Sequence, residues 1–393
     1  MSKIQEMIDL MCPAGVEYAS LERLGSFYGG LTGKSKNDFK EGNAVFITYM
    51  NVYSNPALNL DVTDTVKIGE GEKQNVVHKG DILFTGSSET PEECGMSSVA
   101  LTEPETASYL NSFCFGYRFN DIETFDLVFL KHLFRSAEVR KAIKGTANGV
   151  TRFNVSKARF AKIEIPVPPL EVQREIGKVL DNFSELTAEL TAELTARKKQ
   201  YEYYRDTLLA FEERNDVPWR TLASVSNVRR GVRVVKKQLK DSGNHPVFQN
   251  SIAPMGYYDQ YNRDGNMPYV ICAGSSSGSV GYCYSPFWAA DDCYTIESDC
   301  LNQRFIYFAM KRNNKDLFHQ VRKGSMPRLS HTAIDKMLVP VPPLEEQVRI
   351  VSILDKFELL INDLSEGLPA EIKARQQQYE YYRDQLLTFK RAN

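Results

Sequence analysis

Two segments of the chain carry apolar residues at intervals of three and four, the spacing that places side chains along one face of a helix. The first stripe consists of Val172, Ile176, Val179, Phe183, Leu186, Leu190, Leu194, Tyr201, Tyr204, Leu208 and Phe211. A helix of about 40 residues, rising about 1.5 Å per residue, is roughly 60 Å long. Such a long apolar seam requires a partner helix.

The second striped segment can supply that partner. Its apolar positions are Ile350, Ile353, Leu354, Phe357, Leu360, Leu364, Ile372, Tyr379, Tyr382, Leu386 and Phe389. Gly367 and Pro369 interrupt this stripe, so we expect the second helix to bend or break there. The pattern predicts two long helices that pair as an antiparallel coiled coil. Its expected seam comprises Phe183, Leu186, Leu190, Leu194, Tyr201, Phe357, Leu360, Leu364 and Tyr379.

The two striped segments are copies of one another. Residues 165–183 recur as residues 339–357, and residues 200–211 recur as residues 378–389. A long-period repeat of this kind determines the architecture of a chain before any local motif does. The order is therefore variable region, constant region, variable region, constant region. Within the constant regions, Tyr203 and Tyr381 fall outside the apolar stripe and are candidates for a subunit interface.

The variable regions contain short β-rich runs separated by Gly, Asn, Ser and Pro, and each ends in a helical stretch. We therefore predict an α+β chain with two mixed domains, at residues 1–165 (with a short N-terminal helix) and 214–339. Helical spacers at residues 166–213 and 340–393 separate and follow them. Two different domains on a repeated scaffold are suited to recognising two different things at a fixed separation.

Composition narrows the possible functions. The 393 residues are 42% hydrophobic, with no apolar run long enough for a membrane helix and no apolar leader, which predicts a cytoplasmic protein. Seven cysteines without a CxxC pair are typical of reduced thiols, and no metal site is expected. Gly30 to Ser35 resembles a phosphate loop but lacks its first glycine, because position 28 is Tyr28. No nucleophile motif is present either, so we expect no catalytic residues.

The repeated motifs resemble those of a known family. The LExQxxI and L-D-x-F sequences, the Thr-Ala-Glu-Leu units and the QYxYYRDxLL ending are similar to the constant regions of Type I restriction-modification specificity subunits. Segments 27–39, 80–88 and 323–330 resemble elements of the recognition domains in that family. The resemblance covers essentially the whole chain.

The resemblance implies a non-catalytic subunit that reads a bipartite site in double-stranded DNA, one half-site per target recognition domain. It also implies two methyltransferase subunits docked on the helices and two restriction subunits in the full complex. S-adenosylmethionine would be bound by the partner methyltransferase, and ATP and Mg by the partner restriction subunit. The chain itself is expected to bind no cofactor.

Charge supports DNA contact unevenly. Residues 214–339 carry 17 basic and 10 acidic side chains, whereas residues 1–165 carry 18 and 21. Only the second variable region thus has the basic balance of a duplex binder. Basic and small polar residues in predicted loops are the candidate contacts with phosphates and bases. They are Lys34, Lys36, Asn37, Thr85, Ser87, Ser88, Lys144, Arg152, Arg229, Arg230, Lys236, Lys237, Gln249, Asn250, Ser275, Ser276, Ser277, Arg322, Lys323 and Arg328.

A small internal repeat, residues 187–190 and 191–194, adds one Thr-Ala-Glu-Leu unit to the first helix. Each unit lengthens a helix by about 6 Å and nearly preserves the apolar stripe, so the unit could act as a spacer. Three other interpretations stay open: a specificity component of a related system, an inactive paralogue, and a scaffold whose two domains bind proteins.

Overall fold

The computed structural model of the chain describes residues 2–322, 324–362 and 367–392. Two residues selected from the sequence, Lys323 and Leu364, lie outside these ranges. The described residues form a mixture of helices and strands, in agreement with the α+β prediction.

The helices and strands follow one another along both variable regions. The helices are α1 (Ser2–Met11), α2 (Leu21–Leu24), α3 (Tyr49–Ser54), α4 (Leu127–Leu133), α5 (Ala137–Lys144), α6 (Lys157–Phe160), α7 (Leu170–Leu208), α8 (Leu222–Val225), α9 (Gln303–Arg312), α10 (Asn314–His319), α11 (His331–Asp335), α12 (Leu344–Asn362) and α13 (Leu368–Leu386). The strands of the first region are β1 (Tyr18–Ser20), β2 (Gly25–Gly29), β3 (Ala44–Ile47), β4 (Thr65–Val66), β5 (Ile82–Thr85), β6 (Ser87–Ser88), β7 (Ser97–Val99), β8 (Ser108–Leu110), β9 (Cys114–Phe119), β10 (Ala147–Asn148), β11 (Phe153–Val155) and β12 (Glu164–Pro166). Those of the second are β13 (Trp219–Thr221), β14 (Asn227–Arg230), β15 (His245–Phe248), β16 (Gly256–Tyr258), β17 (Met267–Ile271), β18 (Val280–Cys283), β19 (Trp288–Ala289), β20 (Cys293–Glu297) and β21 (Leu338–Pro340).

The chain divides into two compact units, and each combines one variable region with helical segments. The first unit is Met1–Glu189 with Ile372–Asn393, and the second is Leu190–Glu371. The long helix α7 contributes its first part to the first unit and its last part to the second.

The two variable regions share one strand order despite their different sequences. In the first, a four-stranded sheet runs β2-β9-β5-β7 and a three-stranded sheet runs β4-β3-β8. In the second, the corresponding orders are β14-β20-β17-β18 and β16-β15-β19. In both three-stranded sheets the middle strand has one antiparallel and one parallel neighbour. The two variable regions therefore have the same topology in these sheets.

The central strands are buried because they are short apolar runs rather than alternating ones. All residues of β5 and β17 are buried. Beside β5, the rings of Phe84, Phe115 and Phe160 pack with centroid distances of 4.9 to 5.5 Å. This aromatic core gives the first domain a rigid base for the loops at the end of its sheet.

Both striped segments are helical, and the second is divided as Gly367 and Pro369 predict. The first segment is the 39-residue helix α7. The second forms α12 and α13, and α13 begins at the residue before Pro369, because proline is tolerated in the first turn of a helix. Within the first unit Phe183 stacks on Tyr382.

Candidate nucleic-acid interface

Some of the predicted polar loops meet at corresponding places in the two domains, the end of the central strand. In the first domain a hairpin of β10 and β11 pairs with β6, directly after β5. In the second domain Arg322 and Arg328 pair as a short antiparallel bridge, and Arg328 also pairs with Ala273, just after β17. Each domain therefore combines a strand end with a hairpin from its C-terminal part.

In the first domain this arrangement brings together Ser87, Ser88 and Arg152. The Arg152 guanidinium donates to Ser87 Oγ at 3.1 Å and lies over the Phe113 ring at 5.1 Å. Thr85 is fully buried and its Oγ1 accepts the backbone N–H of Met96 at 2.9 Å. Thr85 thus shapes the turn, whereas Ser88 and Arg152 reach its surface.

The same turn borders a cavity of about 510 Å³ that the sequence did not indicate. Its lining includes Tyr49, Tyr53, Ser87, Ser88, Glu93, Phe113 and Arg152. Tyr49 donates to the carbonyl of Ser87 at 2.8 Å, and the backbone N–H of Gly86 donates to the carbonyl of Phe113 at 2.7 Å. These bonds attach two aromatic residues from distant segments to the predicted turn, which is why sequence spacing gave no signal.

The lysines of the first domain differ in how available their charges are. Lys34 Nζ donates to the carbonyl of Lys67 at 2.7 Å and to Glu72 at 2.6 Å, with only 9% of its side chain exposed. The hydrogen bond from Lys34 is the main reason why the pKa of Glu72 falls to about 2. Lys36 and Asn37 are exposed in the next turn, while the exposed Lys144 pairs with Glu92.

In the second domain the serine turn and two arginines come together. The backbone N–H of Gly274 donates to the carbonyl of Pro327 at 3.0 Å, which holds the turn containing Ser275, Ser276 and Ser277 against the arginine hairpin. Asn250 lies beside the same turn, next to Gly274. Ser277 is buried, and its hydroxyl has no hydrogen-bond partner among the described residues.

Arg328 and a further arginine, Arg230, lie next to acidic residues of the second domain. Arg230 Nε donates to the carbonyl of Asp291 at 2.8 Å, and Arg328 approaches Asp292 at 3.4 Å with 58% of its side chain exposed. The turn at Asp291 thus links two predicted contact residues.

The other predicted residues of the second domain lie on different elements. Arg229 pairs with Glu297, Lys236 and Lys237 are exposed in a separate 3-10 turn, and Gln249 is half-buried after β15.

Each domain is fixed to its helical repeat by a glutamine that occupies the same position in both copies. Gln173 Oε1 accepts the backbone N–H of Asp126 at 2.9 Å, and its Nε2 donates to the carbonyl of Pro168 at 2.8 Å. Gln347 makes the matching bonds to Asn302 and Pro342, both at 2.8 Å. Asp126 and Asn302 cap helices α4 and α9, so the repeat holds the start of a domain helix.

A repeated aspartate provides a second attachment. In the first unit Asp181 accepts from Lys131 and lies 2.8 Å from Nε2 of the buried His132. In the second unit Asp355 accepts from Arg304 Nε at 2.9 Å. Burial lowers the pKa of His132 and outweighs the opposite effect of its hydrogen bond to the Asp181 carboxylate, which favours the neutral ring.

Arg304 is the more heavily contacted of these cations. Its guanidinium also donates to Glu358 at 2.6 Å and lies 4.6 Å from the ring centroids of Tyr282 and Tyr307. The side chain is 10% exposed, so its charge is satisfied within the unit.

The predicted seam residues differ in burial. Tyr201 and Tyr379 pack in the cores of the second and first units, respectively, and Leu194 packs near Tyr201. Phe357 stacks on Tyr204 at 5.2 Å. Phe183 and Leu190 are half-buried, whereas Leu186 and Leu360 are 46% and 39% exposed. Tyr203 and Tyr381 are 66% and 58% exposed.

In the described part of the chain no three His, Cys, Asp or Glu side chains are grouped to hold a metal ion. Nor does any helix in those ranges have the length and apolar character needed to cross a membrane. Two domains of one topology, each displaying a polar hairpin and joined by a repeated helical scaffold, define a paired recognition protein.

Comparison with known proteins identifies the family. Residues 13–197 and 215–374 match the family described as "Type I restriction modification DNA specificity domain". The chain therefore belongs to the specificity subunits of Type I restriction-modification systems, as the resemblance of its motifs predicted.

Relatives and solved structures agree with this assignment. The chain is 35% identical over 263 residues to the specificity subunit of the Type I restriction enzymes EcoR124I and EcoR124II of Escherichia coli, which covers 60% of this chain and 65% of that one. A Haemophilus influenzae protein named as such a subunit is 37% identical over 271 residues, covering 61% and 68% of the two chains. The crystal structure of an S subunit from M. genitalium has the same fold, with a TM-score of 0.61 at 18% identity and coverage of 95% and 96%.

Proposed function

We propose that this chain reads a bipartite site in double-stranded DNA, with one half-site for each recognition domain at residues 1–165 and 214–339. The observation that carries the proposal is the shared topology of the two domains. Both place a hairpin beside the end of a buried central strand, yet the set of polar side chains differs, with Ser88 and Arg152 in the first domain and Asn250, Arg322 and Arg328 in the second. A common frame with different polar side chains is what two different half-sites require, because base edges are read by individual side chains.

The proposed contacts are those that reach the surface at or near these hairpins. In the first domain they centre on Ser88 and Arg152, and the exposed Lys36 and Asn37 on the separate 3-10 turn Lys36–Phe39 are added to them. In the second they centre on Asn250, Arg322 and Arg328. Arginine can bridge guanine and asparagine can bridge adenine in the major groove, whereas lysine more often binds phosphate.

The helical repeats, at residues 166–213 and 340–393, are proposed to set the distance between the two recognition domains. They would do so as an antiparallel coiled coil, a pairing that the ring contacts Phe183–Tyr382 and Tyr204–Phe357 support within their respective units. A continuous helix has a fixed rise per residue, so its length can define a separation along DNA. The hydrogen bonds of Gln173 and Gln347 would orient each domain on this scaffold.

The scaffold is also proposed to dock two methyltransferase subunits, and two restriction subunits in the full complex. The exposed rings of Tyr203 and Tyr381 are suited to such an interface because exposed tyrosines are enriched in protein contacts. Catalysis, together with S-adenosylmethionine, ATP and Mg, would belong to these partners. This chain would give their methylation and cleavage a common specificity.

A protection experiment with the reconstituted complex tests this proposal. The chain is purified with its methyltransferase partner and footprinted on a DNA library. We expect protection of two short segments separated by a constant number of unspecified base pairs, and no such pattern with the methyltransferase alone. Protection without sequence preference would favour the protein-binding scaffold interpretation.

A further inference from the structure

The cavity beside the Ser87–Ser88 turn contains a carboxylate that is not among the proposed DNA contacts. Glu93 lines this cavity together with Tyr49, Tyr53, Phe113 and Arg152. Its Oε1 accepts from the Tyr53 hydroxyl at 2.8 Å, and its Oε2 accepts from Ser88 at 3.1 Å and Thr90 at 3.0 Å. The carboxylate is therefore held in one orientation.

Glu93 keeps both its charge and part of its acceptor capacity. The hydrogen bonds from Tyr53, Thr90 and Ser88 lower its pKa, so it is ionised at neutral pH. No lysine or arginine of the described residues forms an ion pair with it. A carboxylate offers about four acceptor positions, and three hydroxyl donors leave room for one more donor.

The other walls of the cavity favour a base over a phosphate. Glu89 also lines it, and two carboxylates repel a phosphate group. The rings of Tyr49 and Tyr53 stack at 6.1 Å, and Phe113 is 55% exposed, which offers flat apolar surface to a base. Arg152 also lines the cavity, where its guanidinium donates to Ser87 Oγ and lies over the Phe113 ring.

We propose that Glu93 is a specificity-determining residue of the first domain and accepts a hydrogen bond from the exocyclic amino group of a cytosine. Cytosine presents its N4 amino donor in the major groove, whereas the N6 amino group of adenine adjoins the N7 acceptor, which repels a carboxylate. This inference rests on the proposed function, because it assigns one base contact within a half-site.

The test is the adenine methylation motif of cells that express the chain with its methyltransferase partner. Glu93→Gln removes the charge and adds an amide donor, which suits adenine better than cytosine. We expect one position of one half-site to lose its preference for cytosine by about tenfold, while the other half-site and the gap stay the same. Retention of a bipartite motif shows that the variant is folded.

Glu92→Gln is the matched control. Glu92 is the neighbouring acid, but it is exposed and paired with Lys144, so this variant should keep the native motif. An unchanged motif in Glu93→Gln, or loss of methylation at every site, would overturn the inference. A native motif with no G·C pair in either half-site would overturn it without any variant. If the unaltered chain directs no motif at all, it is the proposed function that fails.

Discussion

The buried amide of Gln173 joins the helical scaffold to the backbone N–H of Asp126, the residue that caps helix α4 of the first domain. Gln347 repeats the contact with Asn302 at the start of α9. Gln173 and Gln347 are 0% and 1% exposed, so water cannot replace them. Each glutamine thus gives its domain a buried attachment to the helix, beside the one that Asp181 or Asp355 provides.

Gln173→Leu is expected to lower the free energy of unfolding of the first unit by about 2 kcal/mol or more. The substitution removes the partner of the half-buried Asp126 N–H and of the carbonyls of Pro168 and Thr124, and each buried group left unbonded costs about 1–3 kcal/mol. Thermal unfolding measures the loss. Gln376→Leu, at an exposed position of α13, should have little effect. An equal loss in that control would contradict a stabilising role for the hydrogen bonds of Gln173.

Equivalent tyrosines of the two repeats differ in whether their hydroxyl is hydrogen-bonded, and this difference gives a paired prediction. The Tyr379 hydroxyl lies 2.8 Å from Nδ1 of His132, whereas the buried hydroxyl of Tyr201, its copy, has no partner among the described residues. Counted from its helix cap, the position of His132 is occupied by the buried Phe308 in the second domain. A phenylalanine there cannot bond the tyrosine.

We therefore expect Tyr379→Phe to cost about 1 kcal/mol of unfolding free energy, and Tyr201→Phe to be neutral or stabilising. Removal of an unsatisfied buried hydroxyl relieves a desolvation penalty, whereas removal of a bonded one does not. Denaturant unfolding of both variants makes the comparison. Equal losses in the two variants would refute the assignment of these hydroxyls.

Acidification should selectively weaken the first unit through His132. Burial lowers the pKa of this histidine from 6.5 in the folded chain, so the unfolded chain binds a proton first as the pH falls. The stabilisation is present above about pH 6.5 and is lost as the pH falls toward the folded pKa. His132→Phe should flatten this dependence in unfolding measured from pH 7.5 to pH 5. A slope unchanged by the substitution would contradict the prediction.

The first domain contains two nearby lysines with different expected roles. Lys34 is bonded to Glu72 and is nearly buried, whereas Lys36 is exposed. Lys36→Ala should reduce the slope of log Kobs against log salt by about 1 for DNA binding by the complex. Lys34→Ala should lower the unfolding temperature and leave the slope unchanged. A reduced slope for Lys34→Ala would show that its charge does contact DNA.

The helices of the scaffold could be predicted because both the helical periodicity and the repeat are visible in the sequence itself. The stripe from Val172 to Leu208 is the helix α7, and the second stripe is interrupted near Pro369. The recognition surface was less accessible to sequence reasoning. The sequence predicted Lys34 as an available charge, but its partner Glu72 is 38 residues away and meets it only in the folded chain.

The cavity was missed for the same physical reason. Tyr53 and Glu93 are 40 residues apart in sequence and meet only through the fold. The DNA contacts predicted from the sequence are basic and small polar residues and include no carboxylate. Base readout depends on donors and acceptors of either sign, so charge alone is an incomplete guide.

The length of the spacer helix should set the gap between half-sites. Deletion of residues 191–194 removes about 6 Å of helix, which corresponds to about one or two base pairs at 3.4 Å each. We expect the gap in the methylation motif to shrink by that amount with both half-sites unchanged. Insertion of a third Thr-Ala-Glu-Leu unit should lengthen it. An unchanged gap in both variants would rule out the spacer role.

The sequence-reading role of this chain is tested by genome-wide mapping of adenine methylation in cells that express the methyltransferase partner with and without the chain. We expect a single bipartite motif, with two specific halves and a constant gap, that is present only when the chain is expressed. Absence of any motif with both proteins intact and expressed, or the same motif without the chain, would contradict it.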